Sequence, residues 1–494
     1  RSCRKLRLAF VRCSKGKPIL LPSIRAIGDG DDSEILLSDQ KILAEIKPAI
    51  SGTRRTFLLA QHIQDSMEKG YCTFDQAVSL AGERGKFLDE MQRYELPLER
   101  LLQIVPEELT EHWQQTLDFL SVLSNEWPET LKREGAMDII DRRNKLIRLQ
   151  AEIWQSQKPD FPIIAAGSTG STPASAELLY TIAGLPLGEV ILPGLDKDID
   201  DEQWQNLEAH HPQFALKSFI DGIGVERKNI PEWDHGLSLE SQNGRAEFIR
   251  EVMRPAKTVA KWIGMKLKPE CLENITLLEA PTLSEESTTI ALMLRQQIEE
   301  KDKNAALVTN DRGLARRVAG ILERWGITID DSAGVQLVKT ESGIFLSLVS
   351  EMLASRMAPV PLLSALKHGL CSCGYDKYKF TGMVAELEKL VLRGPRIEGG
   401  LDGIYEILVH EKLPELAEWI DRLRKMSASL VELFNKSKVD MGDLLRKHIA
   451  FTEALTQGNL WTNHESGDDL YKFFVELLES ADGIEIDPAY YNSI

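Results

Sequence analysis

The sequence predicts an α/β protein whose parallel-sheet domains are each interrupted by a long helical stretch. Three observations predict it. Residues 161–196, FPIIAAGSTGSTPASAELLYTIAGLPLGEVILPGLD, run as an apolar strand (162–166), a Gly/Ser/Thr turn, an amphipathic helix and a second apolar strand (189–193). That order belongs to nucleotide-binding parallel sheets. Residues 275–330 repeat the alternation, with strands over 275–280, 305–309 and 326–330 and helices over 285–300 and 310–325. Such βαβα order implies right-handed crossovers. Between and after these units, residues 53–157 and 344–494 place apolar side chains at helical spacing.

Along the chain, residues 1–50 read as a helix, a short strand (18–21, then 24–27) and an acidic loop. In the first helical block Trp113, Leu117, Leu120 and Trp127 share an apolar face and read as core, not as a cofactor box. Gly326 follows the second helix of the 275–330 unit, where a glycine commonly ends a helix.

The turn Gly167-Ser168-Thr169-Gly170-Ser171-Thr172 sits where a parallel sheet places phosphate or metal chemistry, yet it holds no Lys, Asp or Glu. A phosphate-cradling loop needs a Lys after its last Gly, and Ser171 stands there instead. A magnesium-binding Asp-Glu pair would follow Ala166 directly, because a hard cation needs oxygen anions at the strand end. Gly167 and Ser168 occupy those places. The same residues also read as an ordinary strand-to-helix turn, with Ser171 or Thr172 as N-cap ahead of Pro173.

A length of 494 residues implies two or three domains. Hydrophobic and charged shares of 43% and 27% suit a water-exposed globular chain, and no apolar run is long enough to span a bilayer. Six cysteines suggest a reducing compartment without a disulfide framework. The formal charge of −17 argues against a protein that simply coats nucleic acid. Charge is uneven, however: Arg1, Arg4, Lys5, Arg7, Arg12, Lys15, Lys17 and Arg25 all precede the first acid, Asp29. Such a block suits phosphates or an acidic partner, and equally a solvated helix face.

Metal patterns fail on inspection. Asp196, Asp198 and Asp200 have the opening spacing of a calcium loop, but Asp201 replaces its Gly and Leu207 its bidentate Glu. Asp29, Asp31 and Asp32 fail similarly, and His210-His211 lack a second ligand pair. Cys371 and Cys373 form a C-x-C without a matching pair and read as thiols. No catalytic or metal-ligating residue is assigned.

Four stretches together resemble one family: PILLPSIRAIGD (18–29), FPIIAAGSTGSTPASAELL (161–179), GEVILPGLDKDIDDEQW (188–204) and the run over 276–334 containing LVTNDRGLARRVAGILERWGITIDDSAG. They look like the AddB subunits of AddAB double-strand-break repair helicase–nucleases, in their alphaproteobacterial form. The resemblance implies two RecA-like domains of the UvrD-type helicase superfamily: 1–50 with 160–235, interrupted by a helical insertion at 51–159, and 236–343, followed by a helical insertion at 344–494. It further implies a fragment, lacking an amino-terminal strand with its nucleotide loop and a carboxy-terminal nuclease domain that would carry Mg2+ and an iron–sulfur cluster.

In that frame Gly167, Ser168, Thr169 and Gly170 occupy a degenerate helicase motif II. Arg312 falls in the segment resembling motif IV, near the nucleotide of active motors. Arg4, Lys5 and Arg7 fall on a helix that tracks DNA. The implied function is recombinational repair: an ATPase-inactive helicase-fold subunit of a bacterial cytoplasmic end-processing exonuclease, guiding single-stranded DNA beside an AddA-type partner, with single- and double-stranded DNA ends as substrates and no membrane contact. The fragment itself is expected to hold no cofactor. Candidate base-stacking aromatics are Trp204, Trp233 and Trp325, which also read as core or surface anchors. Two alternatives stand: an active nucleotide-dependent helicase with Asp196 as magnesium ligand, and a protein-interaction module docking a partner motor.

Overall fold

A computed structural model describes residues 2–14, 17–27, 46–66, 72–97, 122–232, 244–300, 303–395, 397–462 and 467–493. The chain divides into two compact units. One comprises Arg1–Lys197, Pro212–Trp233 and Leu337–Ile494; the other Asp198–His211 and Asp234–Gln336.

The first unit contains helices α1 (Ser2–Cys13), α2 (Gly52–Ser66), α3 (Phe74–Arg93) and α4 (Ile139–Ser156), then strand β1 (Ile163–Ala166), helix α5 (Pro173–Ala183), strand β2 (Gly188–Ile191) and helix α6 (Phe214–Ile223). β1 and β2 pair in parallel, with Ile163 opposite Gly188 and Ala166 opposite Ile191. The strand–turn–helix–strand order read from the sequence is therefore present. Pro173 opens α5, where its missing N–H costs nothing, and Thr172 precedes it in extended conformation.

One face of the β1–β2 pair is covered. Ala165 packs with Ala174, Leu178, Leu179 and Ile182 of α5, Ile147 and Ala151 of α4, and Phe219 of α6. Among the described residues the other face is open, and Ile164 is 60% exposed. The return from α5 to β2 is tight: a Cβ on Gly188 would lie 1.8 Å from the Ile182 carbonyl oxygen. Gly188→Ala is expected to destabilise this crossover at the upper end of the roughly 1–3 kcal/mol typical of overpacking. A lower urea midpoint and faster amide exchange over 163–166 would register it; wild-type values for both would show that the return loop relaxes.

The second unit contains helices α7 (Arg245–Val252), α8 (Leu283–Glu299) and α9 (Arg312–Arg324). α8 and α9 pack through Ala291, Leu314, Val318 and Leu322, with Leu307 and Ile327 at the margin. Both helices fall where helical spacing placed them, and Gly326 follows α9 at φ 72°. The expected strands do not form. Residues 275–280, 305–309 and 326–330 carry no ladder, and neither do 18–21 and 24–27. An apolar strand gains from pairing when packing buries at least one of its faces, and here Leu277 is 87% and Val308 93% exposed. Two full RecA-like parallel sheets are thus not found among the described residues. The fold is mostly helical with few strands, so the expected α/β order holds for the unit Ile163–Ile191 and not for the described residues as a whole.

The rest of the first unit is helical: α10 (Glu341–Ala354), α11 (Lys377–Leu387), α12 (Pro414–Phe434), α13 (Met441–Thr456) and α14 (Gly467–Ser480), joined by shorter helices. A two-residue antiparallel bridge, β3 (Val439–Asp440) with β4 (Glu485–Ile486), closes its end. The helical blocks 51–159 and 344–494 share one apolar core: Phe57, Leu59, Ile63 and Trp127 join Phe345, Leu387, Trp419 and Leu444. Trp127 is core, as its spacing implied; Trp113, Leu117 and Leu120 lie outside the described residues. Among the described residues no helix is long and apolar enough to cross a membrane.

Candidate functional site

The turn after β1 is built on two glycines with positive φ, Gly167 at 80° and Gly170 at 62°. Gly170 must lack a side chain for a second reason: a Cβ there would lie 2.7 Å from the Phe219 ring. That ring stacks on Tyr180, with centroids 4.9 Å apart. Gly170 is thus accounted for by packing over α6, and Gly167 by its positive φ alone. The turn's hydroxyls are also engaged locally. Ser168 Oγ accepts from the Gly170 N–H at 3.4 Å, and Thr172 Oγ1 donates to Ser175 Oγ at 2.8 Å. Neither a cation to meet phosphate nor an anion to hold magnesium stands in the turn.

Asp196 follows β2 at the same, carboxyl, end of the strand pair, the edge where open parallel sheets bind ligands. Its loop is pinned by Gln213, which accepts from the Asp196 N–H at 3.1 Å and donates to the Gly194 carbonyl at 2.8 Å. Among the described residues no three His, Cys, Asp or Glu side chains stand close enough together to hold a metal ion. In the second unit the acidic run beyond Asp196 has a structural use. Asp200 caps the short helix Asp201–Gln205 by accepting from the Gln203 N–H at 2.8 Å, and it meets Arg254 at 3.0 Å and Lys261 at 3.4 Å. Burial works to raise the Asp200 carboxyl, but the Gln203 N–H, Arg254 and Lys261 outweigh it and hold the group below its usual range. Asp198 meets Arg250 at 3.2 Å. Asp29, Asp31 and Asp32 lie outside the described residues.

Arg312 is the first residue of α9, whose N-terminus is capped by Asp311 through the Gly313 and Leu314 N–H groups. Its guanidinium grips Asp331 with both arms, at 3.2 and 2.8 Å. Asp331 therefore holds Arg312 charged and occupied, so contact with a nucleotide would first require breaking a bidentate pair. Arg4, Lys5 and Arg7 are exposed on α1, a helix that contains no acidic residue. Arg7 donates to the Ile24 carbonyl at 2.8 Å, tying α1 to the segment that follows it. Of the aromatics, Trp325 is already faced by the Arg295 guanidinium, 5.3 Å from its ring centroid. Trp204 is half-buried and Trp233 lies outside the described residues.

Sequence reasoning missed two sites of charge or chemistry. One is a buried ion pair between Arg55 and Asp138, 2.8 Å apart. The other is the approach of Cys371 to Cys373, with sulfurs 3.9 Å apart. Asp138 directly precedes an apolar helix and carried the signal of an N-cap alone, while the cysteine spacing carried no signal of burial.

No protein-family model matches this chain, and comparison with curated proteins returns no match.

Proposed function

We propose that the chain is an AddB-type, ATPase-inactive subunit of a DNA double-strand-break end-processing complex, guiding single-stranded DNA beside a partner motor. The observation that carries the reading is the turn 167–172. It keeps the strand–turn–helix scaffold of a nucleotide site, but its Gly170 serves packing against Phe219 and it offers no charged group to phosphate or magnesium. The acid-free helix α1 supports the second half of the reading, because it exposes Arg4, Lys5 and Arg7 in a chain of net charge −17. A local basic surface of this kind attracts a phosphate backbone without making the whole protein a nucleic-acid coat.

The test is fluorescence anisotropy of a labelled oligonucleotide across a salt series, with and without ATP and magnesium. Micromolar or tighter binding that weakens steeply with salt and ignores ATP is expected. Each phosphate neutralised contributes about 0.7 to the log–log salt slope of a single strand, so replacing Arg4, Lys5 and Arg7 together by Ala should flatten it by about 2. Absence of binding at low salt sinks the guiding role.

A second reading, a module that docks a partner subunit, is favoured by the apolar side chains left uncovered in the second unit, Ile263, Leu277 and Val308. It predicts no DNA affinity for the chain alone. Magnesium-dependent ATP turnover that disappears in Asp196→Ala would overturn both.

A further inference from the structure

Cys371 and Cys373 lie in the turn between the helix Pro359–Leu366 and α11, and backbone hydrogen bonds set its shape. The Ser372 and Cys373 N–H groups both donate to the Leu455 carbonyl at 3.0 Å, and the Tyr375 N–H donates to the Ser372 carbonyl at 2.9 Å. Cys373 adopts the left-handed conformation, φ 48°, which a residue with a side chain keeps only where its surroundings impose it. The turn brings the two sulfurs to 3.9 Å, with the residues only 4% and 6% exposed.

Two neighbours make this more than a packed apolar pair. The indole N–H of Trp419 is buried and bears on the Cys373 sulfur. Arg422, on the same helix, lies over the Tyr375 ring at 5.3 Å and donates to its hydroxyl at 3.3 Å, within electrostatic reach of Cys373. The two thiols are driven apart in acidity. The contact with Cys371 lowers Cys373, burial opposes this, and Trp419 and Arg422 add to the lowering. Cys371 is pushed up by its neighbour and by burial. An asymmetric pair of this kind supplies one nucleophile and one resolving thiol.

We propose that Cys371 and Cys373 form a reversible dithiol–disulfide site oxidised by small hydroperoxides. The Cys373 thiolate attacks the near oxygen of hydrogen peroxide, the O–O bond breaks, and hydroxide leaves to be protonated to water. Cys373 is then a sulfenic acid, oxidised by two electrons as the peroxide is reduced. The Cys371 sulfur attacks the Cys373 sulfur, the S–O bond breaks, and the departing hydroxide takes the Cys371 proton as a second water. Two thiols and one peroxide become one disulfide and two waters, and a dithiol reductant reverses the change. Burial excludes bulky disulfide oxidants such as oxidised glutathione.

The experiment uses the full chain carrying Cys3→Ser, Cys13→Ser and Cys72→Ser, which removes the more accessible thiols. After stoichiometric hydrogen peroxide, intact mass should fall by two hydrogens. The loss should map to the peptide holding both Cys371 and Cys373 and be reversed by dithiothreitol, while oxidised glutathione leaves the folded chain unchanged. In addition, Cys371→Ser should trap a sulfenic acid at Cys373 that a cyclic 1,3-dione labels, and Cys373→Ser should leave Cys371 unlabelled. An unchanged mass in the folded chain, or a crosslink that forms only after unfolding, overturns the proposal. The mass map of the parent chain decides the matter even if either single variant fails to fold.

Discussion

Replacing Asp138 by Ala is expected to cost about 3–5 kcal/mol of stability, the range for breaking a buried ion pair from one side. The Asp138 side chain is 1% exposed, and its carboxylate is the meeting point of three elements. Trp127 Nε1 donates to Oδ2 at 2.7 Å, Gln92 Nε2 donates to the same oxygen at 2.8 Å, and Arg55 Nε stands 2.8 Å from Oδ1. The Arg55 approach is a charge contact and not an aligned hydrogen bond. Removing the carboxylate leaves the Trp127 and Gln92 donors without this acceptor. It also leaves Arg55, itself buried, with Asp89 as its remaining ion-pair partner at 2.7 Å. The residue just before Asp138, Met137, bridges to the segment at 48–50, so the loss should also loosen the entry to α2. Equilibrium urea denaturation measures the effect, and a change below about 1 kcal/mol would refute the network's importance. The double substitution Arg55→Met with Asp138→Leu should recover much of the loss, because it removes both buried charges at once.

Acid should destabilise the first unit through His448. The imidazole is buried, with Nδ1 2.9 Å from the Tyr491 hydroxyl. Burial pulls it down to about 4, against the smaller opposing influence of the Leu346 backbone. Burial likewise pushes the Tyr491 phenol well up, so neither ring carries charge in the folded chain at neutral pH. Because the folded value lies below the unfolded one of about 6.5, the unfolded chain binds the extra proton. The contribution to stability is therefore complete above pH of about 6.5 and is lost as pH falls towards 4, roughly 3 kcal/mol in all. Denaturation midpoints measured from pH 7.5 to 4.5 should fall more steeply for the parent chain than for His448→Gln. Parallel curves would show that His448 does not drive the acid response. Tyr491 lies in the last helical turn, Pro488–Ser493, so early proteolysis at this end is expected at low pH.

The local unit Ile163–Ile191 was legible because each of its signals is short-range. Apolar runs of β-branched residues, a Gly/Ser/Thr turn, Thr172 before Pro173 and helical spacing through Leu178 and Ile182 all agree. Helices α8 and α9 were legible for the same reason. The expected strands at 275–280 and 305–309 failed because a strand is a property of its neighbours. An apolar run pairs where packing buries one of its faces, as α5 does for β1, and stays unpaired where none is buried, and Leu277 and Val308 remain exposed. The β3–β4 bridge is two residues long and has no period to read.

The candidate site divides along the same line. The absence of Lys, Asp and Glu from the turn at 167–172 is a statement about residue identity, and the sequence alone determined it. The reason that Gly170 is a glycine depends on Phe219, 49 positions away, and only the packed structure could supply it. Arg312 was visible as a cation in the right segment, but its capture by Asp331 required the fold to bring them together. Covalent identity and helical periodicity thus settled which chemistry the turn lacks and where the long helices run. Tertiary structure decided which apolar runs became strands, which charges were buried as pairs, and which two cysteines met. The first two depend on contacts between residues distant along the chain or on the exclusion of water, and the two cysteines, though only two positions apart, meet in a turn held by the distant Leu455 carbonyl.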